Sequence, residues 1–228
     1  MTPSNLTFLF IPDISGFTEF VGRTEIEHSR HIISELLELV INSDELGLSV
    51  SEIEGDAVLS YKKGEIPSLE SVLRQCESTF IRFHNHLRRY DSERICRCGA
   101  CETAVDLSLK FIVHSGAVET IDIKGHQKLH GVDVILAHRL LKNNVPDQEY
   151  VLFTDSFPPP DSPWPVTGQS WVKFESGSDD YESLGTVSYQ FASLKELHDK
   201  VVEPDAISIP GLGPNKLTFS TRILAPAD

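Results

Sequence analysis

Two aspartates sit where apolar runs reverse direction. Asp13 closes the run Leu6 to Pro12, and Asp56 follows Glu54-Gly55 between two further runs. If a sheet brings those points together, two carboxylates converge, and they repel unless a cation lies between them. Oxygen-only ligation suits Mg²⁺ or Mn²⁺ better than Zn²⁺. A plainer reading stands beside it: Asp13 caps the following turn and Asp56 is an ordinary turn residue. Cys96-x-Cys98-x-x-Cys101 is a second candidate group. Thiolates at that spacing can wrap Zn²⁺, with His126 or His130 as a fourth ligand, or report redox state; equally they are reduced thiols in a loop. The pairs His28/His31 and His84/His86 read as solvated helix-face residues, His114 as structural, and Cys76 as core.

The elements that must position these groups are legible from periodicity. Leu6 to Ile11 predicts a buried strand, and Ser15-Gly16 breaks it. Ile32, Ile33, Leu36, Leu37, Val40 and Ile41 recur at helical spacing and predict a helix over Glu25 to Asn42. Leu46 to Ile53 and Ala57 to Tyr61 predict two strands around the tight turn at Gly55. Val72, Leu73, Cys76, Phe80, Phe83 and Leu87 form one stripe of a helix over Ser68 to Tyr90. Leu107 to His114 and Ala117 to Ile123 read as strands, Gly131 to Asn143 as a third helix, and Val151 to Thr154 as a short strand. The order β-α-β-β-α-β-β-α-β contains the split βαβ arrangement of ferredoxin-like folds.

Residues 1–157 therefore read as the domain core, and 158–203 as a Pro-rich connector with a final strand and short helix over Tyr181 to Leu194. Residues 204–228 read as a linker and a C-terminal strand. That last strand, KLTFSTRILAPAD, reads first as a C-terminal strand docking on the sheet; its resemblance to the opening of helix-grip lipid-binding-type domains gives the alternative of a further domain that continues beyond it.

The 228 residues are 40% hydrophobic and 24% charged, enough for a packed core, and the net charge is −14. That acidity repels phosphate backbones and argues against nucleic acid as a partner. A small nucleotide remains compatible, because its own metal ions carry positive charge. No run approaches the ~20 apolar residues of a membrane helix, and the N-terminus lacks a basic leader, so a cytoplasmic protein is expected.

Four segments, in order, resemble class III adenylyl and guanylyl cyclases: FIPDISGFTEF, SEIEGDAVLSY, HSGAV and GVDVILAHRLLKN. The resemblance covers roughly residues 6 to 155. It implies an α+β, ferredoxin-like cyclase fold, with a mixed, largely antiparallel sheet and helices on one face. It also implies conversion of a nucleoside triphosphate to a 3′,5′-cyclic nucleotide and pyrophosphate, in a homodimer with a shared site. Two divalent ions, Mg²⁺ or Mn²⁺, would be held by Asp13, Asp56 and the Ile14 carbonyl. Arg139 would stabilise the transition state from the partner chain, where a guanidinium fork suits charge building on phosphate oxygens. Glu52 and Lys128 fall at the two base-reading positions.

The same resemblance exposes departures. Ile135 replaces the Asn that orients the ribose, and an aliphatic side chain neither donates nor accepts. Glu52 points to guanine, whereas Lys128 fits neither purine code, so the base stays open. Leu184-Gly185 stands where the family carries a phosphate-binding lysine. Three readings follow: an active cyclase, a catalytically degenerate nucleotide- or partner-binding module, and a Cys-cluster metal or redox sensor on the same scaffold.

Overall fold

Strand β1 (Leu6–Ser15) alternates its side chains between two cores, as the period of two in a strand requires. Phe8, Phe10 and Ile14 face one core; Leu9 and Ile11 face the other. The computed structural model describes residues 6–92, 103–157 and 168–202. Cys96, Cys98 and Cys101, with their expected Zn²⁺, lie outside the described residues, as do the stretch PPPDSPWP and the expected C-terminal strand.

After β1 come α1 (Phe17–Arg23), α2 (Ile26–Asn42), β2 (Ser49–Glu54), β3 (Ala57–Lys63) and α3 (Leu69–Ser92). They are followed by β4 (Ser108–Ala117), β5 (Glu119–Ile123), β6 (His126–His130), α4 (Val132–Arg139), β7 (Tyr150–Thr154), β8 (Glu175–Tyr181) and β9 (Gly185–Ser193), with a 3₁₀ turn at Lys195–Lys200. Seven strands form one sheet in the order β2-β3-β1-β4-β7-β9-β8, and β5 pairs with β6 as a separate ribbon. All pairings in the large sheet are antiparallel except β4 with β7. The segment β2-β3-β1-β4 is the split βαβ order read from the sequence.

Helices α2 and α3 bury their apolar stripes on one face. Val72, Leu73, Cys76, Phe80, Phe83 and Leu87 are all at or below 2% exposure, so the stripe read from the sequence is the buried face of α3. Burying each large side chain is worth ~1.5–3 kcal/mol before chain entropy is counted. The expectation of helices on one face holds for these two. Helix α4 packs on the opposite face, where Val134 and Ala137 meet Leu9, Ile11 and Ile112.

Helix α4 is also shorter than expected. The Lys142 N–H bonds back to Arg139 C=O and Leu141 N–H to His138 C=O, tightening the last turn to three-residue spacing. The Asn143 amide then takes Leu140 C=O at 2.7 Å. Three elements escaped the pattern reading. Helix α1 is a single short amphipathic turn pair after Gly16; β6 is almost wholly exposed; β8 is polar and completes the sheet edge beside β9. Among the described residues, no helix is long and apolar enough to cross a membrane.

Candidate active site

Asp13 lies near the end of β1, on the face that α4 covers, and is 7% exposed. Its Cα pairs with Ala57 of β3 on one side and with Lys110 of β4 on the other. The β2–β3 turn carries Asp56, with Gly55 taking the left-handed φ of +62° that a side chain would strain. The Ile14 N–H donates to Asp56 C=O at 3.1 Å, stitching the hairpin tip to the end of β1. The sheet thus brings the two aspartates together. Burial first, then the negative charge of Asp13, pushes the Asp56 carboxyl above its ordinary pKa, partly offset by its own backbone N–H and by Lys110.

Lys110, which the sequence did not single out, is the cation paired with Asp13 among the described residues. Its Nζ lies 2.9 Å from Asp13 Oδ2 and donates to Leu141 C=O at 3.1 Å. One ammonium therefore neutralises Asp13 and satisfies a carbonyl just past α4. The only sequence signal for it is a lysine amid the apolar run LSLKFIVH, where a buried charge demands a partner.

These groups line a cleft of about 420 Å³ that also takes in Gly16, Phe17, Glu19 and Asp147. That volume suits a small molecule. The lining carries four carboxylates (Asp13, Glu19, Asp56, Asp147) against Lys110, and Asp147 is itself paired with Lys195 at 3.0 Å. A polyphosphate would be repelled from such a lining, whereas a divalent cation would be attracted. The oxygens of Asp13 and Asp56 are the donor type that Mg²⁺ and Mn²⁺ prefer.

The other sequence-derived candidates fall in two places. Glu52 of β2 and Lys128 of β6 meet, with Lys128 Nζ 3.8 Å from Glu52 Oε2. Between the acids sits His138 of α4, which the sequence reading missed: its Nε2 is 3.2 Å from Glu52 Oε1 and its Nδ1 3.6 Å from Glu54 Oε2. Glu52 and Glu54 are two apart on one strand, so they share a face, and that spacing was the available signal. Arg139 ends α4 exposed, with no side-chain hydrogen bond or ion pair among the described residues. Ile135 is 53% exposed on the same helix.

The HSGAV and GVDV segments are tied together directly. His114 of β4 bonds Thr154 Oγ1 through Nδ1 at 2.7 Å and Asp133 Oδ1 through Nε2 at 2.9 Å. Asp133 Oδ2 accepts the Ala117 N–H at 2.7 Å. A Cβ on Gly116 would lie 2.1 Å from Asp133 Cγ, so glycine is required for the carboxylate to reach the strand. His114 is 1% exposed and plays a structural part. In contrast, His84 is not the solvated helix-face residue expected: it is 7% exposed, packed between Phe80 and Phe83. His86 is half-buried too, with Nε2 3.5 Å from Glu35 Oε2.

Comparison with known proteins adds three findings. Residues 33–150, a little over half the chain, match the family described as "Protein of unknown function (DUF2652)". The uncharacterized protein Rv2561/Rv2562 of Mycobacterium tuberculosis is 37% identical over 123 residues, 54% of this chain and 57% of that protein. The match thus spans a little over half the length of that relative. Solved cyclase domains share the fold. The catalytic core of a rhodopsin-guanylyl cyclase with converted specificity, in complex with ATPαS, aligns with TM-score 0.53 and 14% identity over 83% of this chain and 96% of that one. The adenylyl cyclase CyaB from P. aeruginosa gives 0.52 and 15% over 82% and 94%. The guanylate cyclase domain of RhGC from Catenaria anguillulae, in complex with GTP, gives 0.50 and 17% over 83% and 97%. At such identities the likeness establishes architecture and leaves chemistry to the site.

Proposed function

Because the chain belongs to the DUF2652 family and carries the fold of class III cyclase domains, we propose that it is a metal-dependent nucleotidyl cyclase, active as a homodimer. The observation that carries this reading is the meeting of Asp13 and Asp56 at the mouth of an acidic cleft, tied by the Ile14–Asp56 backbone bond. Asp13, Asp56 and the Ile14 carbonyl are the groups that would hold two Mg²⁺ or Mn²⁺ ions. When bound, those ions neutralise the triphosphate and acidify the ribose 3′-hydroxyl for attack on the α-phosphate.

The chain's own residues supply the rest. Glu52, Lys128 and His138 present acceptors and donors for a base edge, and their mutual pairing fixes them before the ligand arrives. Arg139, exposed and without an ion pair among the described residues, would reach the phosphates bound by a partner copy, where charge builds as the P–O bond to pyrophosphate breaks. Lys110 holds the Asp13 carboxylate in place against the repulsion of Asp56.

Two observations favour a second reading, a binding module without turnover. Ile135 offers the ribose nothing, and Lys110 already occupies one face of Asp13. Incubating the protein with ATP, GTP, CTP or UTP plus Mn²⁺ and looking for cyclic monophosphates by mass spectrometry separates the two. Product that disappears in Asp56→Asn supports the cyclase; binding of a triphosphate without product supports the module.

A further inference from the structure

On the other face of the sheet three side chains from distant parts of the chain converge. His84 comes from the middle of α3, Glu149 from the residue before β7, and His198 from the 3₁₀ turn after β9. One ligand atom from each lies within 4.8 Å of the others. His84 Nε2 is 3.2 Å from Glu149 Oε1, and His198 Nε2 is 2.8 Å from Glu149 Oε2. Donors around a tetrahedral zinc stand roughly 3.3 Å apart, given bonds of ~2.0–2.1 Å, so the spacing is already close to that of a coordination shell.

The two imidazoles differ in a telling way. His198 makes a hydrogen bond to Glu149, whereas His84 Nε2 is fully buried with no aligned hydrogen-bond partner. The His84 side chain is 9% exposed, so this nitrogen has no water to fall back on. That nitrogen faces Glu149 Oε1 at 3.2 Å without hydrogen-bond alignment, and a cation shared between them would satisfy both. The rings are held edge-on: His84 and His198 have centroids 4.5 Å apart, and both pack on Phe80.

We propose that His84, Glu149 and His198 form a divalent transition-metal site, with Zn²⁺ its natural occupant. Two borderline imidazoles with one harder carboxylate make a mixed donor set that suits zinc better than magnesium, so this site and the all-oxygen Asp13–Asp56 pair would take different ions. The cluster opens on a second cleft, of about 430 Å³, leaving room for a fourth ligand from water or a bound molecule. The metal would fasten the C-terminal turn to α3. It would also brace the loop before β7, whose Asp147 and Gln148 line both clefts.

The test uses the full chain, stripped with a chelator and titrated with Zn²⁺ in excess Mg²⁺. His198 is 40% exposed at its side chain, so His198→Ala keeps the fold, and its metal-free melt sets the baseline for the lost Glu149 hydrogen bond. The parent should bind one zinc more per chain than His198→Ala, whatever the cysteines contribute. Residual affinity at this site should fall at least about 100-fold, since even outer-shell losses cost ~10–100-fold. Co²⁺ should give an absorption band that Glu149→Gln removes. Zinc should raise the melting temperature of the parent more than that of His198→Ala. Equal zinc stoichiometry and affinity in parent and His198→Ala would overturn the site and leave a plain imidazole–carboxylate network.

Discussion

The ammonium of Lys110 lies 2.9 Å from Asp13 Oδ2, directly across the β1–β4 pairing that carries both residues. The two side chains are 16% and 10% exposed, so this is a buried ion pair beside a second carboxylate, Asp56. Its charge balance is the hinge of the functional account. With Lys110 alone the pair of acids keeps a net negative charge; a divalent ion would complete it.

Lys110→Met should therefore cost ~3 kcal/mol in chemical denaturation, because it leaves Asp13 buried without its partner. Adding Mn²⁺ should recover part of that loss, as the metal takes over the neutralisation. A loss that Mn²⁺ leaves unchanged would mean the acids do not share a cation.

Asp56→Asn should raise the melting temperature of the metal-free protein while removing metal-dependent nucleotide chemistry. The sign follows from the upward-shifted carboxyl: above its ordinary pKa of 3.8, ionisation of Asp56 is costlier folded than unfolded. Stability conferred by the protonated form is thus lost as pH rises through the folded value. Thermal melts at neutral pH, with and without metal, check both halves.

The Asp133 carboxyl is shifted the other way. Burial acts upward, but the His114 bond and the Ala117 N–H outweigh it, so the net shift is below 3.8. The stabilisation is present above that unfolded value and disappears as pH falls through the folded one. Asp133→Asn should lose ~1.5–3 kcal/mol at neutral pH and show a shallower acid slope. Gly116→Ala, whose methyl would strike Asp133, should fail the same way, and the double substitution should be far less than additive.

Arg139→Ala should leave stability within ~0.5 kcal/mol, since the side chain is exposed and makes no hydrogen bond or ion pair among the described residues. Turnover should drop by roughly 10²–10³ if the guanidinium meets transition-state charge. Mixing Arg139→Ala with Asp56→Asn protomers should restore part of the activity, because one of the two shared sites is then whole. No recovery on mixing would count against an arginine supplied by the partner.

Much of this was legible in the residue order, and the failures have physical causes. The helical stripe from Val72 to Leu87 and the runs flanking Asp13 and Asp56 are local signals, and they placed the sheet and its acidic pair. Lys110 and His138 meet their partners across strands, a relation that no window along the chain contains. The ribbon β5–β6 escaped because β6, HQKLH, buries only Leu129. His84 stands one turn after Phe80 on the apolar stripe, a position that implies burial and outweighs its polar type. What covers it, Glu149 and His198, comes from far downstream.

The central claim is that Asp13 and Asp56 grip the same divalent cations beneath a nucleotide. Mn²⁺ binding followed by electron paramagnetic resonance, with a non-cyclisable triphosphate analogue present, addresses it most directly. The parent protein should take up Mn²⁺ tightly, and Asp56→Asn should abolish that uptake while leaving the fold intact. Undiminished Mn²⁺ uptake in Asp56→Asn would contradict it.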